Sequence, residues 1–284
     1  MRASKRPRRG VYLLPTLFTT GNLAMGCLGI VLLLDRGERA ALVCAIAVFA
    51  SAVFDMFDGM VARATGTSSK FGMEYDSLAD LIAFGAAPAF LAYEFCLKAL
   101  GPVGVAATVW FVTCAAIRLA RFNSAEENRY AGFSGLPSPA AALTVASLVI
   151  LVASASRYPL ASDLLPRGWW ANGATAPAVS VLMALLGWLM ISRTPYLSFK
   201  GVDTSRPRPL RVVLAVVVFL FIAWSIPGLL FGLFLCYVFL GLIMRFLTSV
   251  RWAEVVAPAL VAWAGSMSGS RRPANGKERN NENR

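Results

Sequence analysis

Runs of about 20 apolar residues recur along the chain, and this pattern restricts the fold more than any other feature of the sequence. An α-helix of about 20 residues matches the thickness of the hydrocarbon core of a bilayer. Eight such spans are predicted, at 13–34, 40–61, 77–97, 102–122, 137–156, 174–192, 210–226 and 228–248. Pro227 and Gly228 divide the last apolar stretch, and the alternative is seven spans if they only kink it.

The composition supports a membrane protein. Of the 284 residues, 57% are hydrophobic and 15% are charged, whereas a soluble domain carries roughly 25% charged residues. We therefore predict an all-α fold, a polytopic membrane helix bundle. The net charge of +12 does not indicate nucleic-acid binding, because the basic residues lie between and beyond the apolar spans.

The basic residues also predict the orientation, since cytoplasmic segments of membrane proteins carry more Lys and Arg. With the N-terminus inside, all but five of the 27 basic residues fall on the cytoplasmic side; the exceptions are Arg36, Arg39, Lys98, Arg157 and Arg167. We therefore expect a protein of the cytoplasmic (inner) membrane with both termini in the cytoplasm. The expected parts are a basic N-terminus at 1–11, a membrane domain at 12–250, an interfacial segment at 251–268 and a disordered tail at 269–284.

Four aspartates interrupt the apolar pattern where the second span ends and the third begins, at the predicted cytoplasmic face; they are Asp55, Asp58, Asp76 and Asp80. A carboxylate at membrane depth costs several kcal/mol unless it is paired or bound to a metal. Each pair falls on one face of a helix, so two neighbouring helices can point four carboxylates into one cleft. Hard oxygen ligands of this kind predict Mg²⁺ or Mn²⁺, with two ions expected.

Residues beside the four aspartates indicate that the predicted metal site also binds a diphosphate. Gly59 and Gly72 remove side chains beside the cleft, so that a bulky ligand can approach the backbone. Arg63 offers a planar cation suited to a phosphate group. Arg63 and Lys70 are the only basic residues in this region, too few for the aspartates to be merely structural ion pairs.

The complete pattern is D-x-x-D-G-x-x-A-R-x(8)-G-x-x-x-D-x-x-x-D, from Asp55 to Asp80, and it resembles the signature of the CDP-alcohol phosphotransferases at all eight fixed positions. The resemblance implies an integral membrane enzyme, expected to be a homodimer, in which an alcohol attacks a CDP-linked substrate and CMP is released. It implies that the four aspartates bind two metal ions and that Gly59, Ala62 and Arg63 contact the CMP moiety. It also implies that Asp80 is the general base, a role that suits a carboxylate in a chain without histidine.

Further stretches resemble the phosphatidylserine synthase branch of this family. They are Arg118-Leu-Ala-Arg121-Phe-Asn123, Gly132-Phe-Ser-Gly135-Leu-Pro137-Ser138-Pro139, the run from Asp76 to Pro88, Tyr196–Lys200, and Leu14–Leu23, in which Thr16 replaces the common Asn. The resemblance covers residues 12 to about 250. It implies CDP-diacylglycerol as the donor, L-serine as the acceptor and membrane lipids as the surroundings, with no nucleic-acid partner.

A cationic group is needed to bind the carboxylate of a zwitterionic amino acid, and Arg118 and Arg121 lie one turn apart beside Asn123. We expect these three residues to bind serine or a phosphate, although arginines at a cytoplasmic span end also serve as plain membrane anchors.

Two other functions are alternatives. One is the same reaction with another acceptor, chiefly glycerol 3-phosphate or inositol. The other is a divalent-cation transporter, which the sequence disfavours because the carboxylates cluster at one face instead of following a path through the bilayer.

Overall fold

The computed structural model describes residues 13–35, 38–65, 69–126, 135–154, 175–192, 194, 228–243 and 245–246, with the backbone alone for 13–14, 38, 63–65 and 125–126. The chain divides into two compact units, Met1–Gly241 and Leu242–Arg284. The second unit contributes only the helical residues 242–243 and 245–246 to the described part. The site lies within the first unit.

The described residues form helices and contain no β-strand, which confirms the all-α prediction. Seven main helices are described: α1 (Leu13–Leu32), α2 (Glu38–Thr65), α3 (Lys70–Phe95), α4 (Pro102–Glu126), α5 (Ser138–Ser154), α6 (Ala176–Ile191) and α7 (Gly228–Ile243). Helices suit a bilayer because each satisfies its backbone hydrogen bonds internally. The predicted span 210–226, the segment 251–268 and the tail 269–284 lie outside the described residues.

Four helices, α1 to α4, are long and apolar enough to cross a membrane, so the chain is a membrane protein. Helices α5 and α6 have 17 and 16 residues. At about 1.5 Å per residue they measure roughly 25 Å, less than the ~30 Å hydrocarbon core.

Helix α3 begins at Lys70, well before the apolar span predicted from residue 77, because Ser69 caps its N-terminus. The Ser69 hydroxyl accepts a hydrogen bond from the Gly72 amide at 3.0 Å, which satisfies one free donor of the first turn. The polar first turns therefore continue directly into the apolar part, and Asp76 and Asp80 share one helix.

A π-helical segment, Leu81–Ala86, interrupts α3 directly after Asp80. Helix α1 approaches it closely, since a Cβ added to Gly26 would lie 2.8 Å from the Ala83 Cα. Helix α4 also approaches it closely, since a Cβ added to Gly85 would lie 3.3 Å from the Ala115 Cβ. Segments of this kind often occur at functional sites, and here the segment immediately follows one of the four aspartates.

Small residues lie where α1 packs on α2. Helix α1 packs along α2, where a Cβ on Gly29 would meet Cys44 Sγ at 3.2 Å and Ala47 Cβ at 3.3 Å. Helix α4 packs against α6, and α2 also packs against α5. Such close backbone approach is typical of helices that associate in lipid, where packing replaces the hydrophobic effect.

The contact between α4 and α6 yields a stability prediction. We expect Gly187→Ala to lower the free energy of unfolding by about 1–3 kcal/mol, as overpacking does in other tightly packed cores. The added Cβ would lie 2.6 Å from Trp110 Nε1, whose hydrogen bond to the Ala184 carbonyl spans 3.2 Å. Unfolding of the purified protein in detergent measures the change. Gly232→Ala is the matched control, because its added Cβ would meet no heavy atom of the described residues within 4 Å other than the backbone of its own helix and its chain neighbours. Equal losses in both variants would contradict the prediction.

Candidate metal and nucleotide site

Three of the four aspartates converge between α2 and α3. Each of Asp55, Asp76 and Asp80 offers a carboxylate oxygen, and these oxygens lie within 4.8 Å of one another. A divalent cation binds carboxylate oxygens at about 2.0–2.6 Å, so two of its ligands can be at most about 5 Å apart. The observed spacing therefore fits a bound Mg²⁺ or Mn²⁺ ion.

Asp58 completes the acidic cluster from the next turn of α2. It is 5% exposed, and it interacts electrostatically with Asp55 and Asp76. Its Oδ2 atom is buried and has no hydrogen-bond partner among the described residues. A buried carboxylate oxygen in this state is costly, and coordination to a cation would offset the cost.

The other motif residues lie on the same two helices. Gly59 and Ala62 follow the first aspartate pair on α2 and are partly exposed, while the side chain of Arg63 lies outside the described part. Gly72 lies in the first turn of α3, where a Cβ would come 3.1 Å from the Ser69 hydroxyl. Its backbone amide donates to that hydroxyl at 3.0 Å, a bond that any residue except proline could make.

Glu94 and Lys98 form a separate ion pair at the far end of α3. Their side chains approach to 3.2 Å, with the i,i+4 spacing expected of a surface pair on a helix. The pair is partly exposed and lies about four turns from Asp80 along the helix. It supplies a control for substitutions of the aspartates.

The three residues of the Arg-x-x-Arg-x-Asn group have different partners. Arg118 Nη1 donates to the Ser138 hydroxyl at 3.1 Å, and the guanidinium interacts electrostatically with Asp80. Its Nε is buried without a hydrogen-bond partner among the described residues. Arg121 Nη1 instead donates to the Ile191 carbonyl at 2.6 Å, at the end of α6. Arg118 thus interacts electrostatically with one of the aspartates, whereas Arg121 lies at a helix C-terminus.

Asn123 connects α4 to the turn of α3 that carries Asp76. Its amide nitrogen lies 3.1 Å from the Ser77 hydroxyl and 3.4 Å from Glu74 Oε2. The Ser77 hydroxyl also lies 3.2 Å from the Asn123 amide oxygen. These contacts place Asn123 beside α3, where it contacts Ser77, the residue next to Asp76 in the chain, and not the aspartate itself.

A short loop before α5 positions the partner of Arg118. Gly135 has a φ of 104°, a backbone conformation that favours glycine, and a Cβ there would lie 2.6 Å from the Met190 carbonyl oxygen. The Leu136 amide donates to the Leu189 carbonyl at 3.0 Å and the Gly135 amide to the Thr194 carbonyl at 2.8 Å. The loop is therefore held on the end of α6, and it leads into Ser138.

Two residues of α1 that the sequence analysis gave no role also contact the aspartates. Asn22 Nδ2 donates to Asp80 Oδ1 at 3.0 Å, and the Thr19 hydroxyl, which donates to the Pro15 carbonyl at 3.2 Å, lies beside Asp58. The signal in the sequence is the polar run Thr19-Thr20-Gly21-Asn22 inside an apolar span. Tyr237 of α7, also without a predicted role, interacts electrostatically with Arg118.

Two membrane helices that present an acidic cluster next to glycines fit a metal-dependent membrane enzyme, and sequence comparison identifies the family. The chain belongs to the CDP-alcohol phosphatidyltransferase family, whose sequence pattern matches residues 12–191. This match includes all eight motif positions.

Several curated relatives share one name, CDP-diacylglycerol–serine O-phosphatidyltransferase. The Helicobacter pylori (strain 26695) protein is 36% identical over 236 residues, which are 81% of this chain and 91% of that protein. The Bacillus subtilis protein is 37% identical over 138 residues, 49% of this chain and 74% of that protein. The Methanocaldococcus jannaschii protein is 37% identical over 149 residues, 52% of this chain and 61% of that protein.

Proposed function

We propose that the chain transfers the phosphatidyl group of CDP-diacylglycerol to the hydroxyl of L-serine, which gives phosphatidylserine and CMP. The observation that carries this proposal is the convergence of the family's aspartates in a chain that is 36% identical to a serine phosphatidyltransferase over 91% of that protein. An acidic cluster alone would support a metal site of many kinds. The relatives' shared name supports serine as the acceptor.

In this reaction the serine hydroxyl oxygen forms a bond to the phosphatidyl phosphorus, and the bond from that phosphorus to the CMP oxygen breaks. Asp80 takes the hydroxyl proton as general base, and CMP leaves as a phosphate that needs no proton. Asp55, Asp58, Asp76 and Asp80 would hold two ions, Mg²⁺ or Mn²⁺. Such ions neutralise charge on the diphosphate and on the departing CMP.

Donor binding is assigned to the residues that follow the first aspartate pair and to the start of α3. Gly59 and Ala62 are small and partly exposed beside the carboxylates, so the nucleotide can approach the backbone of α2 there. Arg63 supplies a cation for the diphosphate, and Gly72 keeps the facing turn of α3 free of a side chain. The acyl chains of the donor stay in the surrounding lipid.

The acceptor carboxylate is assigned to Arg118. Its guanidinium lies close enough to Asp80 to interact with it, and its buried Nε has no hydrogen-bond partner among the described residues. A carboxylate bound there would place the serine hydroxyl near the proposed base. Asn123 supports the α3 turn that carries Asp76, and the contact of Arg121 with Ile191 favours a role in holding α6.

The proposal also specifies how the chain lies in the membrane. Eight spans, with both termini and the active site on the cytoplasmic side of the inner membrane, fit the distribution of basic residues. The enzyme domain is 12–250, flanked by the segments 1–11, 251–268 and 269–284. A homodimer is proposed by family resemblance.

An acceptor panel tests the function. We expect purified protein with CDP-diacylglycerol and Mg²⁺ or Mn²⁺ to release CMP when L-serine is added, and to release none when a chelator removes the metal. Glycerol 3-phosphate and inositol are the comparison acceptors, and CMP together with the lipid product is measured. CMP release with either of these and none with serine would overturn the serine assignment while leaving the metal-dependent transfer intact.

A further inference from the structure

Helix α1 lies outside the aspartate motif, yet it presents two buried polar side chains to the acidic cluster. Thr19 and Asn22 are three residues apart and share one face of the helix. They are 5% and 0% exposed. Asn22 contacts Asp80, the second aspartate of α3, and Thr19 contacts Asp58, the second aspartate of α2. One helix thus reaches the second carboxylate of each pair.

The position of Asn22 is fixed by independent contacts. The Ser51 hydroxyl of α2 donates to the Asn22 main-chain carbonyl at 3.2 Å. Two glycines let α1 come close enough for these contacts, because a Cβ on Gly21 would lie 2.9 Å from Phe54 and one on Gly26 would lie 2.8 Å from Ala83. The amide nitrogen of Asn22 is therefore held at Asp80 by the packing of three helices.

The chemistry of these two donors suits a metal site. An amide and a hydroxyl are neutral, so they orient a carboxylate without cancelling the charge that binds the cation. A lysine or arginine at either position would compete with the metal for the same oxygens. A purely apolar α1 would instead leave the two buried carboxylates free to rotate away from the geometry that the ion requires.

We propose that Asn22 and Thr19 are positioning residues that hold Asp80 and Asp58 in the orientation that binds metal and accepts the proton. Asn22 binds Oδ1 of Asp80 and leaves the other carboxylate oxygen for the ion or the acceptor hydroxyl. The Thr19 hydroxyl lies beside the Asp58 carboxylate and donates to the Pro15 carbonyl at 3.2 Å, and rotation of this hydroxyl would let it donate to Asp58 instead. The proton-accepting part of this inference rests on the proposed function, whereas the metal-binding part does not.

Metal affinity is the direct test. We expect Asn22→Leu and Thr19→Val, each close in size to the residue it replaces, to weaken Mn²⁺ binding by about 10- to 100-fold, the usual effect of losing a group that orients a metal ligand. Titration of the purified full-length protein with Mn²⁺, with free Mn²⁺ followed by electron paramagnetic resonance, measures this without any substrate. Thr19→Ser keeps the hydroxyl and should restore wild-type affinity.

The matched control is Thr20→Val in the same turn of α1. The Thr20 hydroxyl bonds to the Thr16 carbonyl at 2.7 Å and to Tyr75 at 3.1 Å. We expect Thr20→Val to leave Mn²⁺ affinity unchanged. Thermal melting in the presence of chelator identifies any variant that fails to fold. If Asn22→Leu fails to fold, the comparison of Mn²⁺ affinity between Thr19→Val and Thr19→Ser tests the inference.

The reaction gives a second readout. At saturating Mn²⁺ the two variants should have a lower kcat and an unchanged KM for serine, because the donors act on the aspartates and not on the acceptor. Wild-type Mn²⁺ affinity and wild-type kcat in folded Asn22→Leu and Thr19→Val would overturn the inference. Failure of the proposed function looks different, since the wild-type protein would then release no CMP with serine although its Mn²⁺ affinity still responds to both variants.

Discussion

Asp80→Asn is expected to reduce serine-dependent CMP release by about 10²- to 10⁴-fold, the usual effect of removing a general base. The asparagine keeps the size of the side chain but cannot accept the hydroxyl proton. It also removes one of the three carboxylates whose oxygens lie within 4.8 Å of one another. CMP release from CDP-diacylglycerol in detergent micelles, measured at saturating serine, gives the effect.

Two controls separate the roles of this residue. Glu94→Gln changes a carboxylate at the other end of α3, in the ion pair with Lys98, and should leave activity unchanged. Raising the Mn²⁺ concentration tests whether Asp80 acts only as a ligand. Full recovery of CMP release by Asp80→Asn at high Mn²⁺ would assign the loss to metal binding, and it would contradict the role of Asp80 as general base.

Arg118→Lys is expected to raise the KM for serine by roughly 10- to 150-fold, which corresponds to the about 1.5–3 kcal/mol of a hydrogen bond to a charged group. Lysine keeps the positive charge, but it lacks the planar set of donors that would let arginine bind the acceptor carboxylate and Ser138 together. Initial rates of CMP release over a range of serine concentrations, with CDP-diacylglycerol held at saturation, measure KM and kcat separately.

Arg121→Gln is the comparison that the structure provides. Arg121 lies one turn further along α4, and it donates to the Ile191 carbonyl at the C-terminus of α6. We expect this variant to lose stability, because a cation there donates to a carbonyl of the last turn and interacts favourably with the negative end of the helix dipole. Its KM for serine should stay at the wild-type value. The reverse result, with the KM for serine raised in Arg121→Gln and unchanged in Arg118→Lys, would assign binding of the acceptor carboxylate to Arg121.

Much of the fold followed from local sequence patterns. The lengths of the apolar runs predicted the helices α1 to α4, and the i,i+3 and i,i+4 spacings predicted two carboxylates on one face of each helix. The ion pair of Glu94 with Lys98 was predictable for the same reason. The start of α3 was not, because the predicted span began with the apolar residues, whereas the cap at Ser69 starts the helix in a polar segment.

The sequence by itself determined the class of protein, the acidic motif and the family, because span length, helical periodicity and motif spacing depend only on residues close together in the chain. The tertiary structure decided which side chains meet those aspartates. Asn22 and Asp80 are 58 positions apart, and Arg118 and Ser138 are 20 apart. Such pairs form only when helices pack at a particular distance and rotation, and no local pattern contains that information.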